Sequence, residues 1–189
     1  MLPRRPVLLG LAALLANPAR ANESAAAWRE LASGGAVVAI RHGRTSGQAG
    51  DPPGFKLEDC STQRGLTEQG RQESVALGER FRANNVKVDL VLSSQWCRCL
   101  DTARLAFGRA EPWPALNNVF GNSSREPAQN AETRKRIRAW TGPGTLVLVS
   151  HGSIISPLTG AYPVEGEVIV LRPDPEKSLR VVGRIKPGE

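Results

Sequence analysis

A chain of 189 residues with 40% apolar content has material for one domain with a substantial core, not for several. The formal net charge of +7 suits a small anionic partner, and an aromatic content of only 5%, with no nucleic-acid-binding motif, points away from nucleic acid. Met1 to Ala21 has the makings of a targeting segment. Arg4 and Arg5 give a basic start, Val7 to Ala16 is apolar, and Ala19-Arg20-Ala21 is a small-x-small cleavage site. Ten apolar residues are too few to span a bilayer. The expectation is a signal peptide over 1–21, an exported and periplasmic protein over 22–189, and no integral membrane segment once the signal is removed. The Arg4-Arg5 pair leaves Sec and twin-arginine export both open. Loss of the three arginines of Met1–Ala21, a segment without acids, leaves a charge of +4.

Beyond the signal, Ser24 to Ala32 reads as a short helix ended by Gly34-Gly35. Ala36 to Arg41 is an apolar run of strand character, followed by His42-Gly43. Arg44 to Arg64 is a loop long enough to suggest work at a site, with a stiff Asp51-Pro52-Pro53-Gly54 turn. Thr67 is placed to cap a helix running to about Ala83, with Val75, Leu77 and Phe81 inward. Val88 to Leu92 is a second strand, and a helix carrying Arg98, Leu100, Leu105 and Phe107 follows it. Glu111 to Phe120 holds two prolines and suits a short edge strand. Ala128 to Trp140 forms a basic helix, whose Arg134, Lys135, Arg136 and Arg138 read as a solvated face. Leu146 to Ser150 is a third apolar strand followed by His151-Gly152, then a short helix over Ser153 to Leu158 and closing strands at Glu167–Arg172 and Leu179–Ile185. This alternation predicts an α/β fold, a three-layer α/β/α sandwich with a mostly parallel central sheet and helices on both faces.

His42 and His151 are the only histidines, and each ends an apolar strand with glycine next. In a parallel sheet, ligands bind beyond the carboxyl ends of strands, so the two point to one shared site where glycine lets a ligand approach the backbone. Three cysteines are present. Cys97 and Cys99 lie about 200° apart on a helix and are poor partners for each other. Cys60–Cys97 is the expected disulfide, Cys60–Cys99 the next, and three free thiols the remaining reading. Their spacing carries no zinc signature, and no metal is expected.

Arg41-His42-Gly43 off one strand, Ser93-Ser94-Gln95-Trp96-Cys97-Arg98 off another and His151-Gly152 off a third, with Leu66-Thr67-Glu68-Gln69-Gly70-Arg71 between, resemble the histidine phosphatase superfamily and its phosphoglycerate-mutase-like fold. Asp59-Cys60-Ser61-Thr62-Gln63-Arg64 and Trp96-Cys97-Arg98 are similar to its small exported members. The resemblance implies a cofactor-independent phosphatase acting on a small phosphorylated substrate. His42 would be the nucleophile that becomes phosphohistidine, Arg41 and Arg98 would clamp phosphate oxygens, and His151 would donate a further hydrogen bond. Thr45 and Ser153 are candidate substrate hydroxyls. Many family members carry a glutamate in a Leu-x-Glu context that protonates the leaving group; here Leu116-Asn117-Asn118 stands in its place, so Asn118 replaces the acid. Either the leaving group needs no strong acid, or Asp51, Glu58 or Glu126 supplies the proton. Since a family relative acts on phosphorylated heptose of lipopolysaccharide core, an envelope sugar phosphate is the expected substrate class. The rivals are a non-catalytic phosphate or phosphoglycan binding module on the same fold and a phosphohistidine phosphatase. Sequencing the amino terminus of the exported protein should return Asn22; a chain still starting at Met1 would reject the signal peptide.

Overall fold

The computed structural model describes residues 18–174 and 178–188. The predicted signal peptide falls outside the described residues up to Asn17. Helix α1 spans Pro18–Ala32, so it begins earlier than the expected Ser24 and crosses the expected cleavage junction. Six strands form one sheet: β1 (Val37–Arg41), β2 (Val88–Ser93), β3 (Glu111–Pro112), β4 (Thr145–Ser150), β5 (Val168–Asp174) and β6 (Ser178–Ile185). Their order is β3-β2-β4-β1-β5-β6. The pairs from β3 to β1 are parallel, and β1–β5 and β5–β6 are antiparallel. Helices α2 (Glu68–Ala83), α3 (Cys97–Phe107), α4 (Glu126–Arg138) and α5 (Gly152–Thr159) complete the fold.

Strand alternation sends neighbouring side chains of β1 to opposite faces. Val38 and Ile40 pack with Trp28 and Leu31 of α1, Leu77 and Phe81 of α2 and Ala103 of α3. Val37 and Ala39 pack with Ile137 of α4 and Ile154, Ile155 and Leu158 of α5. Two cores, one on each face, make the expected three layers. Thr67 caps α2, its Oγ1 accepting from the Gly70 N–H at 3.0 Å. Val75, expected inward, is exposed. The buried stripe of α2 is Ser74, Leu77, Gly78 and Phe81, and Val75 lies about 100° away from Ser74 around the helix. The predicted edge strand shortens to Glu111–Pro112, because the Pro114–Leu116 turn that follows is 3-10. Arg134, expected on a solvated face, donates to the Pro157 and Leu158 carbonyls at 2.9 and 3.0 Å, satisfying acceptors at the end of α5.

A disulfide joins Cys60 to Cys97, and Cys99 is a buried free thiol. The crosslink ties the long loop after β1 to the first turn of α3. Gln63 reinforces it, its Oε1 accepting from the Cys97 N–H at 3.0 Å and its Nε2 donating to the Leu57 carbonyl at 2.8 Å. Closing a loop with 37 residues of sequence separation contributes about 4 kcal/mol in the chain-entropy view. Cys60→Ser should therefore lower the urea unfolding free energy by up to about 4 kcal/mol. A non-reducing peptide map should show Cys60 linked to Cys97; Cys60 linked to Cys99, or not linked, would reject this account of the loop.

Candidate active site

The parallel pairing of β1 with β4 sets Arg41 opposite Ser150, so the next residues on each strand, His42 and His151, emerge side by side. The His42 N–H donates to the Ser150 carbonyl at 2.9 Å and carries the ladder one residue further. The two imidazole centroids are 5.3 Å apart, edge to face. They are 2% and 3% exposed. Nδ1 of His42 lies 2.9 Å from the Gly43 carbonyl, which can only accept. That contact assigns the ring proton to Nδ1 and puts the ring lone pair on Nε2. Nε2 of His151 is held by Ser94 Oγ at 2.9 Å, with Cys99 Sγ at 3.4 Å, so Nδ1 is its remaining ring nitrogen.

The glycines work otherwise than expected. A Cβ on Gly43 would lie 2.9 Å from Ser74 Oγ and 3.0 Å from the Gly70 carbonyl oxygen, so this glycine admits α2 rather than a ligand. One on Gly152 would lie 2.8 Å from the Tyr162 ring.

Burial is the main reason that the His42 pKa drops to about 3; the charges of Arg98 and Arg41 push the same way, against the Gly43 carbonyl and Glu165. Burial likewise holds His151 well below the ordinary histidine range, helped by His42 and by Arg98, Arg41 and Arg64. Both rings are neutral at neutral pH. The Cys99 thiol is pushed up to about 12 by burial and stays protonated.

Arg98 sits in the first turn of α3 and is 1% exposed. Its charge and the helix dipole both call for an anion there. Asp51, from the long loop, supplies it: Oδ1 accepts from Nη1 at 2.6 Å and Oδ2 from Nη2 at 3.1 Å. The same carboxylate accepts from Trp96 Nε1 at 2.9 Å and from the Arg64 N–H at 3.1 Å. Burial alone would raise the Asp51 pKa, but these donors outweigh it and hold it below the usual carboxylate range. Asp51, one of the three candidate proton donors, is thus the ionised counter-ion of Arg98. Arg41 is tied in a similar way, with Nη1 donating to the Pro163 carbonyl at 3.0 Å and Nη2 3.7 Å from Glu165. Its guanidinium lies 5.3 Å from the centre of the Tyr162 ring. In both arginines, and in Arg64, Nε is buried without a protein acceptor.

The other candidates are placed differently. Thr45 donates from Oγ1 to Glu165 Oε1 at 2.6 Å and from its N–H to Oε2 at 3.2 Å. Ser153 donates to Asn118 Oδ1 at 2.8 Å, and the Phe120 N–H donates to the same oxygen at 3.1 Å. Thr45, Ser153 and Asn118 therefore find partners within the protein. It is Asn117 that meets the Ser94 segment, its Oδ1 accepting from the Gln95 N–H at 2.9 Å. Glu58 is an exposed loop carboxylate, and Glu126 opens α4. The sequence reading missed Glu165, whose Oε1 is 4.0 Å from His42 Nδ1. Burial alone would raise the Glu165 pKa, but Thr45, His42 and Arg41 hold it down. Glu165 belongs to no motif and is set by Glu167, a fully buried carboxylate that accepts from the Val164 N–H at 2.8 Å and from Arg184 Nε at 2.7 Å. Arg64 stood in the Thr-Gln-Arg segment without an assigned role.

Beside Arg41 opens a cavity of about 620 Å³ lined by Arg41, Arg44, Arg64, Glu165 and Lys186, with Gly47 and Ala49. Among the described residues, no group of three or more His, Cys, Asp or Glu side chains could hold a metal ion, and no helix is long and apolar enough to cross a membrane.

Paired strand-end histidines beside the buried Arg98 and the partly buried Arg41 and Arg64 define an α/β protein with a cationic pocket at the carboxyl ends of its parallel strands. The chain belongs to the histidine phosphatase superfamily (branch 1), whose profile matches residues 37–141 and so ends before His151. Comparison with curated proteins finds no match. Among solved structures, it is similar to a proposed phosphohistidine phosphatase, SixA, from Agrobacterium tumefaciens, at 22% identity and TM-score 0.57 over 81% of this chain and 98% of that one. A proposed α-ribazole-5′-P phosphatase from Escherichia coli aligns at 19% identity and TM-score 0.58, over 82% and 99%. A mycobacterial glucosyl-3-phosphoglycerate phosphatase aligns at 16% identity and TM-score 0.56, over 82% and 99%. These likenesses establish the shared fold.

Asp51→Ala should strand the buried Arg98 charge and destabilise the protein by about 3–5 kcal/mol in denaturant titrations. A change within about 0.5 kcal/mol, the usual range for surface substitutions, would show that the pair does not hold the loop.

Proposed function

We propose that the protein is an exported phosphomonoesterase working through a phosphohistidine at His42. The observation that carries this reading is a neutral imidazole, its proton fixed on Nδ1 by the Gly43 carbonyl, beside buried arginine Nε–H groups that have no protein acceptor. Nε2 of His42 attacks phosphorus, a P–N bond forms, and the P–O bond to the leaving group breaks with its electrons going to oxygen. Water then attacks phosphorus, the P–N bond breaks, and phosphate leaves. Arg41 and Arg98 offset charge on the phosphoryl oxygens, the main requirement of such a transfer.

Asp51 and Glu165 both have lowered pKa values, so both are ionised and neither is a ready proton donor at neutral pH. Substrates whose leaving group departs without strong acid suit such a site: phosphohistidine, acyl phosphates and anomeric sugar phosphates. An envelope sugar phosphate remains the substrate class favoured here. The basic, apolar and small-residue succession of Met1–Ala21 supports export. The same lack of a protonated carboxyl favours, as a second reading, a phosphate-binding module without turnover.

Phosphate release should be measured for the mature protein on anomeric sugar phosphates, acetyl phosphate and phosphohistidine. Turnover should vanish in His42→Ala and fall roughly tenfold to a hundredfold in Arg98→Lys, on the scale of one charge-assisted hydrogen bond. Acid-labile phosphate should be trapped on His42. Binding without turnover would establish the module instead. The low His42 pKa also sets the pH dependence. The ring stays neutral as pH falls through 6.5, so kcat/KM, corrected for substrate ionisation, should show no enzyme group titrating there. An acid limb near 6.5 would contradict the burial argument.

A further inference from the structure

Resting on the phosphoryl reading above, we infer that the substrate carries a second anionic group, a carboxylate or another phosphate, held by Arg44 and Arg64 in the cavity beside Arg41. A single phosphoryl group at His42 is provided for by Arg41 and Arg98. The adjoining cavity is lined by further cations, Arg44, Arg64 and Lys186, and at about 620 Å³ it falls within the range of small-molecule sites. Its one lining carboxylate, Glu165, is already engaged by both donors of Thr45 and lies beside Arg41 and His42.

Arg64 is the most informative of these residues. Its Nη1 donates to the Gln48 carbonyl, an uncharged acceptor, and its Nε is buried without one. Burial, followed by the charges of Arg98 and Arg41, disfavours its cationic form, and Glu165 and Asp51 offset this only partly. A guanidinium in that position is an anion site awaiting an anion. Arg44 is half-exposed and 3.3 Å from Glu73. Such a surface pair is weak, so the side chain can turn to a ligand at little expense. Both arginines flank the segment Gly47–Asp51, which the Asp51–Arg98 pair pins to the phosphoryl centre. The second anion is therefore read at a fixed distance from the first. A neutral sugar phosphate would leave the buried Nε of Arg64 without an acceptor and bind less tightly than its acidic analogue.

Matched ligands separate the two charges. Glycerol 3-phosphate and 3-phosphoglycerate differ by one carboxylate over a short span; phenyl phosphate and 4-carboxyphenyl phosphate do so over a longer one. Calorimetry on the full chain carrying His42→Ala measures binding without turnover. At least one acidic ligand should bind roughly ten times more tightly than its neutral partner, as one charge-assisted contact implies. Adding Arg64→Gln or Arg44→Gln should shrink that ratio below about threefold, with the melting temperature checked to show that the variants fold. Ratios near one for both pairs, or equal losses for the acidic and neutral ligands, would overturn the subsite. In that event, binding of the neutral esters and their hydrolysis by the unsubstituted protein would leave the phosphatase reading standing. Failure of all four ligands to bind would likewise overturn the subsite, while turnover of acetyl phosphate or an anomeric sugar phosphate would leave the phosphatase reading standing.

Discussion

The site depends on one piece of backbone: the parallel pairing of β1 with β4. Because Arg41 faces Ser150, the two residues that follow leave the sheet together, and the chain's only histidines meet. A slip of one residue would exchange the faces of either strand, forcing side chains fitted to one core, such as Val38 or Val147, into the other. The hydrophobic cores on both faces therefore fix the register, and the register fixes the histidine pair. Hydrogen bonds carry that order onward. Gly166 donates to the carbonyls of Arg41 and His42, which ties the turn bearing Glu165 to the same strand end.

Above this frame, the long loop acts as a counterweight. Three guanidinium groups crowd two neutral imidazoles, an arrangement that would repel itself without an anion. Asp51 supplies one, engaging both Nη groups of Arg98 while Nε remains unpartnered. The Cys60–Cys97 bridge and the Gln63 hydrogen bonds fix the loop that brings Asp51 in. Trp96 joins loop and site, donating to Asp51 and packing edge-on against His151, and it also meets the ring of Phe55. Preorganisation of this kind spares the reaction from ordering its own charge clamp.

Much of the frame was legible in the sequence because periodicity and strand-end position are local signals. The apolar runs before His42 and His151, the Thr67 cap and the punctuation by Gly34-Gly35 could all be read without knowing the fold. Val75 was misread because a single apolar residue beside a buried stripe looks like part of it. The partners of the site were harder, since Asp51 meets Arg98 across 47 positions and Thr45 meets Glu165 across 120. Nothing in a carboxylate's neighbours along the chain tells whether it will be a donor, a counter-ion or a solvated surface group. Asp51 stands out along the chain for its loop, but its pairing with Arg98 appears only in the fold. Glu165 lacked even a loop signal, because its position is set by the buried carboxylate two residues further on.

In the proposed phosphoryl transfer through His42, the ring's weak basicity and the shortage of a proton donor fit together chemically. An imidazole whose cationic form is disfavoured is a poorer base, and its phosphorylated form is correspondingly more ready to give the phosphoryl group to water. The second half of the reaction gains what the first half loses. The first half can recover that loss in two ways. A bound phosphate dianion offsets the charges of Arg41 and Arg98 and raises the affinity of His42 for a positive centre, and a leaving group that departs without acid asks less of the attack. Under that proposal the burial that protects the histidine pair would favour substrates already activated toward transfer, and the cations around it would favour substrates rich in negative charge. With His42 as the proposed nucleophile, substrate choice would follow from the same electrostatic surroundings that keep this ring neutral.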